Sequence, residues 1–197
     1  FYSLYELDLN DERMKISNEV SELLTNFQSA LTLNEQIFKR IKECYEAKDS
    51  LNLTKEQNKI VENYYDDFIR NGALLSNDDK EKLKAIDLKL SELSLKFKGN
   101  SLKATNADFL HIENKDELKG IPEDVLGQAM ETAKEKKLKG YVFTLHAPSY
   151  VPFATYAENR NLREQLYKKR ASISLGGEFD NTNIIKETLE YRYKRSN

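Results

Sequence analysis

The sequence predicts a mainly α-helical fold, an antiparallel multi-helix array with a small two-stranded β insertion near residues 109–112 and 141–145. Three observations predict it. Charged residues make up 32% of the 197 and apolar residues 39%, with only seven Gly and three Pro, a balance that suits long solvated helices. Apolar side chains recur at spacings of three and four through the first half of the chain. Two short apolar runs further on read as strands, the second with a spacing of two. A chain of this mass can bury about 70% of its unfolded surface, enough for an unaided core. The pattern change divides it into a helical bundle, 1–104, and a helical region with the β-ribbon, 105–197, the boundary falling at Ala104–Asp108.

In the first helix Ile16, Val20, Leu23, Leu24, Phe27 and Leu31 form one apolar stripe, with Asp8 or Asn10 placed to cap its start. Asn34 opens a second helix whose Ile37, Phe38, Ile41 and Tyr45 are expected to face inward. Cys44 falls among them and is expected to be a buried, inert thiol. Thr54 and Gln57 can satisfy each other's backbone N–H groups at the start of the third helix. Its stripe is Ile60, Val61, Tyr64, Tyr65, Phe68 and Ile69, and Asn71-Gly72 supplies a left-handed stop. Ser76 and Asp79 open the fourth helix, where Leu83, Ile86, Leu90, Leu93 and Phe97 make a heptad-like seam for antiparallel packing. Run to Lys103, that helix is about 40 Å long.

Phe109, Leu110 and Ile112 are a short strand, followed by a turn over Glu113–Asp116. Pro122 suits the first position of the next helix, and Glu123 and Asp124 complement the positive end of its dipole. Lys134, Lys136, Lys137 and Lys139 complement the opposite end before Gly140. Tyr141, Phe143 and Leu145 alternate with Val142 and Thr144, a second strand able to pair with the first. Pro148 and Pro152 end it by biasing the residues before them to extended conformations. One helix is then expected to carry Phe153, Tyr156 and Ala157 on through Leu162, Leu166 and Tyr167, with Arg160, Glu164 and Lys168 as i,i+4 pairs. Gly176-Gly177 breaks the chain, and Asp180 or Asn181 caps a last helix bearing Ile184, Ile185, Leu189 and Tyr193 as core residues.

Several function classes are disfavoured. The 31 basic and 33 acidic residues leave a net charge of −2, so no global field draws the molecule onto nucleic acid or anionic membrane. The lysines at 134–139 have no interleaved aromatics and are diluted by Glu131 and Glu135, as at an ordinary solvated helix end. No run approaches the roughly 20 apolar residues of a membrane span. The opening FYSLYELDLN has neither the basic start nor the apolar core of a signal peptide, although targeting residues can precede it. A single cysteine excludes an internal disulfide. His111 and His146 are the only histidines, 35 residues apart on or beside predicted strands, with no third ligand apparent. Asp66 and Asp67 point to different helix faces, while Asp78-Asp79 and Glu123-Asp124 sit where the helix dipole accounts for them. No His-Glu-x-x-His, Gly-x-Ser-x-Gly, Cys/His pairing or phosphate-cradling glycine loop occurs.

Against that background, the stretch from Leu33 to Ala107 (LNEQIFKRIKECYEAKDS through LKATNA) resembles the corresponding region of bacterial peptidyl-dipeptidases, or dipeptidyl carboxypeptidases. These belong to the thimet oligopeptidase-like zinc metallopeptidases. Leu118–Asp124, Phe143–Leu145 with Pro148-Ser149, Tyr156–Glu164 and Glu178–Asn181 resemble the family in the same order, so the likeness covers roughly 33–192. The resemblance implies a mainly helical peptidase with a deep channel between two halves, which releases dipeptides from the C-terminus of oligopeptides. Zinc would be held by the histidines of a His-Glu-x-x-His and a downstream glutamate, the motif glutamate serving as base for the attacking water. That motif lies downstream of the matched region, so no catalytic and no metal-binding residue is assigned to this chain, and its substrate-binding residues stay unassigned. The chain is expected to be part of the N-terminal helical half, to form part of the substrate-channel wall, to bind no zinc and to be inactive alone. Its implied partners are the C-terminal catalytic half of the same polypeptide and oligopeptide substrates, without nucleic acid or a membrane span. Opening at Phe1 and stopping at Asn197, it reads as a fragment. The cytoplasm is the expected compartment, with the periplasm as the alternative if targeting residues are missing. The competing function is a freestanding, non-enzymatic helical interaction module with an apolar groove.

Overall fold

The computed structural model describes residues 11–196, so the expected caps Asp8 and Asn10 lie outside the described residues. Among these are eight α-helices and one antiparallel two-stranded sheet. The chain divides into two compact units, one running to Leu95 and taking in the chain from Lys186 onward, the other Lys96–Ile185.

The first unit contains α1 (Asp11–Thr32), α2 (Glu35–Ala47), α3 (Lys55–Arg70) and most of α4 (Asn77–Ala107). Its helix starts follow the sequence signals closely. Asn34 Oδ1 accepts the Gln36 and Ile37 N–H groups at 2.9 and 3.0 Å. The capping box forms at α3, with the Thr54 N–H donating to Gln57 Oε1 at 3.0 Å and the Gln57 N–H to Thr54 Oγ1 at 3.3 Å. At α4 the Ser76 hydroxyl donates to Asp79 Oδ2 at 2.8 Å, while the Asp79 N–H donates back at 3.2 Å. Gly72 takes the left-handed conformation after α3 at φ +90°. The 31 residues of α4 make it about 46 Å long.

Aromatic packing joins α2 to α3. The Tyr45 and Tyr65 rings stack with centroids 3.9 Å apart, and Phe38 stacks on Tyr65 and Phe68 at 5.9 and 6.2 Å. Only part of each expected stripe is inside: Phe38 and Phe68 are buried, whereas Ile37, Ile60 and Tyr64 are exposed. Cys44, expected to be buried, is exposed. Six residues on from Phe38, it lies about 240° round a helix of 3.6 residues per turn, off the face that carries the aromatic stack.

The second unit, Lys96–Ile185, is organised around β1 (Phe109–Ile112) and β2 (Tyr141–Thr144), paired as expected with Leu110 opposite Phe143 and Ile112 opposite Tyr141. Their core is completed by α5 (Glu123–Glu135), α6 (Ala147–Tyr156) and α7 (Arg160–Ala171) through Leu126, Phe153, Leu162 and Leu166. The Phe143 and Phe153 rings meet at 4.5 Å and 58°, a tilted arrangement that aromatic quadrupoles favour. Both Val142 and Phe143 are buried, so β2 is covered on two faces.

Two expectations about prolines and one about helix continuity are corrected. Pro122 is the N-cap of α5 rather than its first residue. Pro148 and Pro152 both lie inside α6, with Pro148 in its first turn. Pro152 sacrifices a single backbone bond, the one to the Pro148 carbonyl, and a helix of ten residues tolerates that loss. The single helix expected from Phe153 to Tyr167 is two, because Asn159 caps α7 by accepting the Asn161 and Leu162 N–H groups at 3.1 and 3.3 Å. Arg163 fixes the break by donating to the carbonyls of Ala157 and Glu158.

A polar knot ties the middle of α4 to the start of α8 (Thr182–Ser196) within this second unit. Asn181, 2% exposed, donates to the Phe97 carbonyl and to Ser101 Oγ, each at 3.1 Å, and accepts from Asn100 at 3.0 Å. Asp180 performs the capping, taking the Thr182 N–H at 2.9 Å and the Thr182 hydroxyl at 2.7 Å. Those hydrogen bonds, the hydroxyl's foremost, hold its carboxyl below the usual carboxylate range.

Candidate functional site

α1 sets the first unit's surface chemistry. Ser17, Ser21, Thr25 and Ser29 are spaced four apart, so they share one helix face. Ser17 and Ser29 are buried, and Thr25 Oγ1 lies 2.9 Å from Ser91 Oγ of α4. The apolar stripe read from the sequence is real but turned outward: Ile16, Leu23, Leu24, Phe27 and Leu31 are all exposed. The end of α8 repeats the arrangement. Ile185, Leu189 and Tyr193, expected in the core, are exposed, while Glu187 approaches Lys89 at 3.4 Å and Arg195 Nε donates to Asp87 Oδ1 at 2.6 Å.

Between these elements runs a groove of 710 Å³. Ser21, Thr25, Gln28 and Ser94 contribute hydroxyl and amide groups, and Leu24, Phe27 and Leu90 contribute hydrocarbon. Arg195 is held there by Asp87 and by Asn71 Oδ1 at 3.2 Å. Hydroxyls and amides both donate and accept, so this mixed lining matches the alternating N–H and C=O of an extended peptide better than it matches an anion or a metal. No expected site residue marked this groove; its signal in the sequence was the four-residue spacing of small hydroxyls on α1. A smaller depression of 260 Å³ on α7 is lined by Arg160, Arg163, Glu164 and Tyr167. The Arg163 guanidinium there is engaged in the Ala157 and Glu158 carbonyls.

The two histidines sit by opposite ends of the β-ribbon, each in a hydrogen bond of its own. His111 Nε2 donates to the Lys139 carbonyl at 2.6 Å, by the end where Ile112 pairs with Tyr141. His146 Nε2 lies 2.7 Å from Asn106 Oδ1, by the other end, where Phe109 pairs with Thr144. Among the described residues no three His, Cys, Asp or Glu side chains are grouped to hold a metal ion. The donor set therefore does not fit the zinc that the resemblance implies.

The chain is 41% identical to oligopeptidase A of Haemophilus influenzae over 69% of its own length and 21% of that protein's. It is 31% identical to "Probable cytosolic oligopeptidase A" of Arabidopsis thaliana over 90% of its length and 26% of that protein's. The chain is a partial homologue of the thimet oligopeptidase-like peptidases. Dipeptidyl carboxypeptidase of Escherichia coli extends the same oligopeptidase family, at 27% identity over 85% of the chain and 25% of that protein. The chain thus spans about a quarter of the length of the curated oligopeptidase relatives it matches. No family model matches it.

Proposed function

We propose that this chain is a helical, non-catalytic part of an oligopeptide-cleaving zinc peptidase, in which it forms part of the substrate-channel wall. The observation that carries the non-catalytic reading is the commitment of both histidines to opposite ends of the β-ribbon, which takes the chain's imidazoles out of reach of a shared metal. The mixed lining of the α1–α4 groove supports a wall that water and peptide main chain can wet. A freestanding interaction module calls instead for an apolar groove. Higher identity to oligopeptidase A than to dipeptidyl carboxypeptidase favours oligopeptides as the substrate class of the whole enzyme. Release of C-terminal dipeptides is the narrower activity, and mass spectrometry of its products separates that from internal cleavage. We place the enzyme in the cytosol, as the name of the Arabidopsis relative has it for that protein. No helix among the described residues is long and apolar enough to cross a membrane.

The direct test uses the purified chain, an internally quenched oligopeptide and added zinc. The expected result is no cleavage and no stoichiometric zinc by atomic absorption. Metal-dependent cleavage by these 197 residues would overturn the assignment.

A further inference from the structure

On α1 the side chains that suit burial and those that are buried are on different faces. Hydroxyls occupy the side turned towards the helix's own unit, where Ser17 is 1% exposed. Ile16, Leu23 and Leu31 are 39%, 69% and 40% exposed on the other side. Lys15, Glu19 and Glu22, at i, i+4 and i+7, edge that apolar strip with charges of both signs. We propose that this outward face is a seam, covered in the whole protein by an apolar element of the same polypeptide outside these 197 residues. This rests on the reading of the chain as part of a longer peptidase.

Two observations select that occupant over a second copy of the chain. The homologous peptidases are about four times as long as the stretch matched here, so covering polypeptide exists in the relatives. A strip one helix wide offers each copy several hundred Å² at most, short of the roughly 800 Å² per partner that a specific free dimer buries. A tethered element meets the same face at an effective concentration near the millimolar range, so a small seam suffices for it.

The test is thiol accessibility at Leu23→Cys in a Cys44→Ser background, each rate referred to the same protein unfolded in denaturant. Leu23 is exposed and does not line the groove, so the substitution leaves the fold and the groove intact. In the 197-residue chain the new thiol is expected to react nearly as fast as in the unfolded protein. In the polypeptide encoded by the uninterrupted reading frame it is expected to react about tenfold slower or more, as a side chain reached only by local opening does. Equal rates in the two proteins overturn the seam, as does a reading frame that adds nothing before Phe1 or after Asn197. Protection that grows with the concentration of the short chain, alongside a doubled mass in light scattering, assigns the face to a second copy instead. If the long polypeptide protects the thiol but cleaves no peptide, the peptidase reading fails and the seam stands. Cleavage with an open thiol overturns the seam and leaves the peptidase reading standing.

Discussion

Replacing Phe143 by Ala is expected to destabilise the chain by about 3–5 kcal/mol, the range of a fully buried aromatic truncation. Phe143 is fully buried on β2, against Phe153 at 4.5 Å and among Leu145, Leu162 and Leu166. The hole left by its ring has rigid walls, the ribbon on one side and α6 and α7 on the other, so little of it can collapse. Urea unfolding followed by far-ultraviolet circular dichroism should show a lower midpoint with an unchanged slope. A loss below about 1 kcal/mol would mean that the ring is not in a close-packed core.

Gly120→Ala is expected to cost about 2–4 kcal/mol, from left-handed backbone strain and a steric clash together. Gly120 has φ +88°, and a Cβ there would lie 2.3 Å from the Tyr156 carbonyl oxygen. Neither partner can retreat cheaply, because the Glu158 N–H donates to the Lys119 carbonyl at 2.9 Å and pins the two segments together. Gly176→Ala is the matched control: φ is +80°, but nothing lies within 4 Å of the added carbon. Equal losses in the two variants would remove the close approach at Gly120 from the explanation.

Local chemistry made the helix starts legible. Asn34, Thr54 with Gln57, and Ser76 with Asp79 each act within three residues, so their spacing alone specifies the hydrogen bonds that form. The second strand of the ribbon was legible for a similar reason, since the alternation of Tyr141, Phe143 and Leu145 with Val142 and Thr144 is the period of a strand. Side-chain direction was less so. Periodicity groups Leu23, Phe27 and Leu31 on one face but does not say whether that face meets its own unit, water or another chain. The same ambiguity covers Leu189 and Tyr193, and in both helices the polar side was the one that packed. Cys44 shows a finer version, because neighbours in sequence at helical spacing bracketed it while its own angle carried it off their face. The groove was illegible for a different reason. It assembles Asn71, Asp87, Ser91 and Arg195 from segments far apart in the chain, and nothing local to any of them announces the meeting. The family resemblance left the groove unmarked as well, because it rests on residue order along the chain and not on packing.

The hydroxyl bed beneath α1 has a dynamic consequence. Oil-like contact is what makes a helix costly to lift, and here most of it is absent. Ser17 Oγ is buried without a hydrogen-bond partner among the described residues, a burden of about 1–3 kcal/mol that lifting relieves. The fold therefore carries a gradient of local opening free energies, lowest at α1 and highest around β2 and α5. In hydrogen–deuterium exchange, the amides of Val20–Gln28 should lose their protons well before those of Val142 and Phe143. Left to itself, α1 is the piece that departs first and returns last, so its residence time depends on whatever rests upon it.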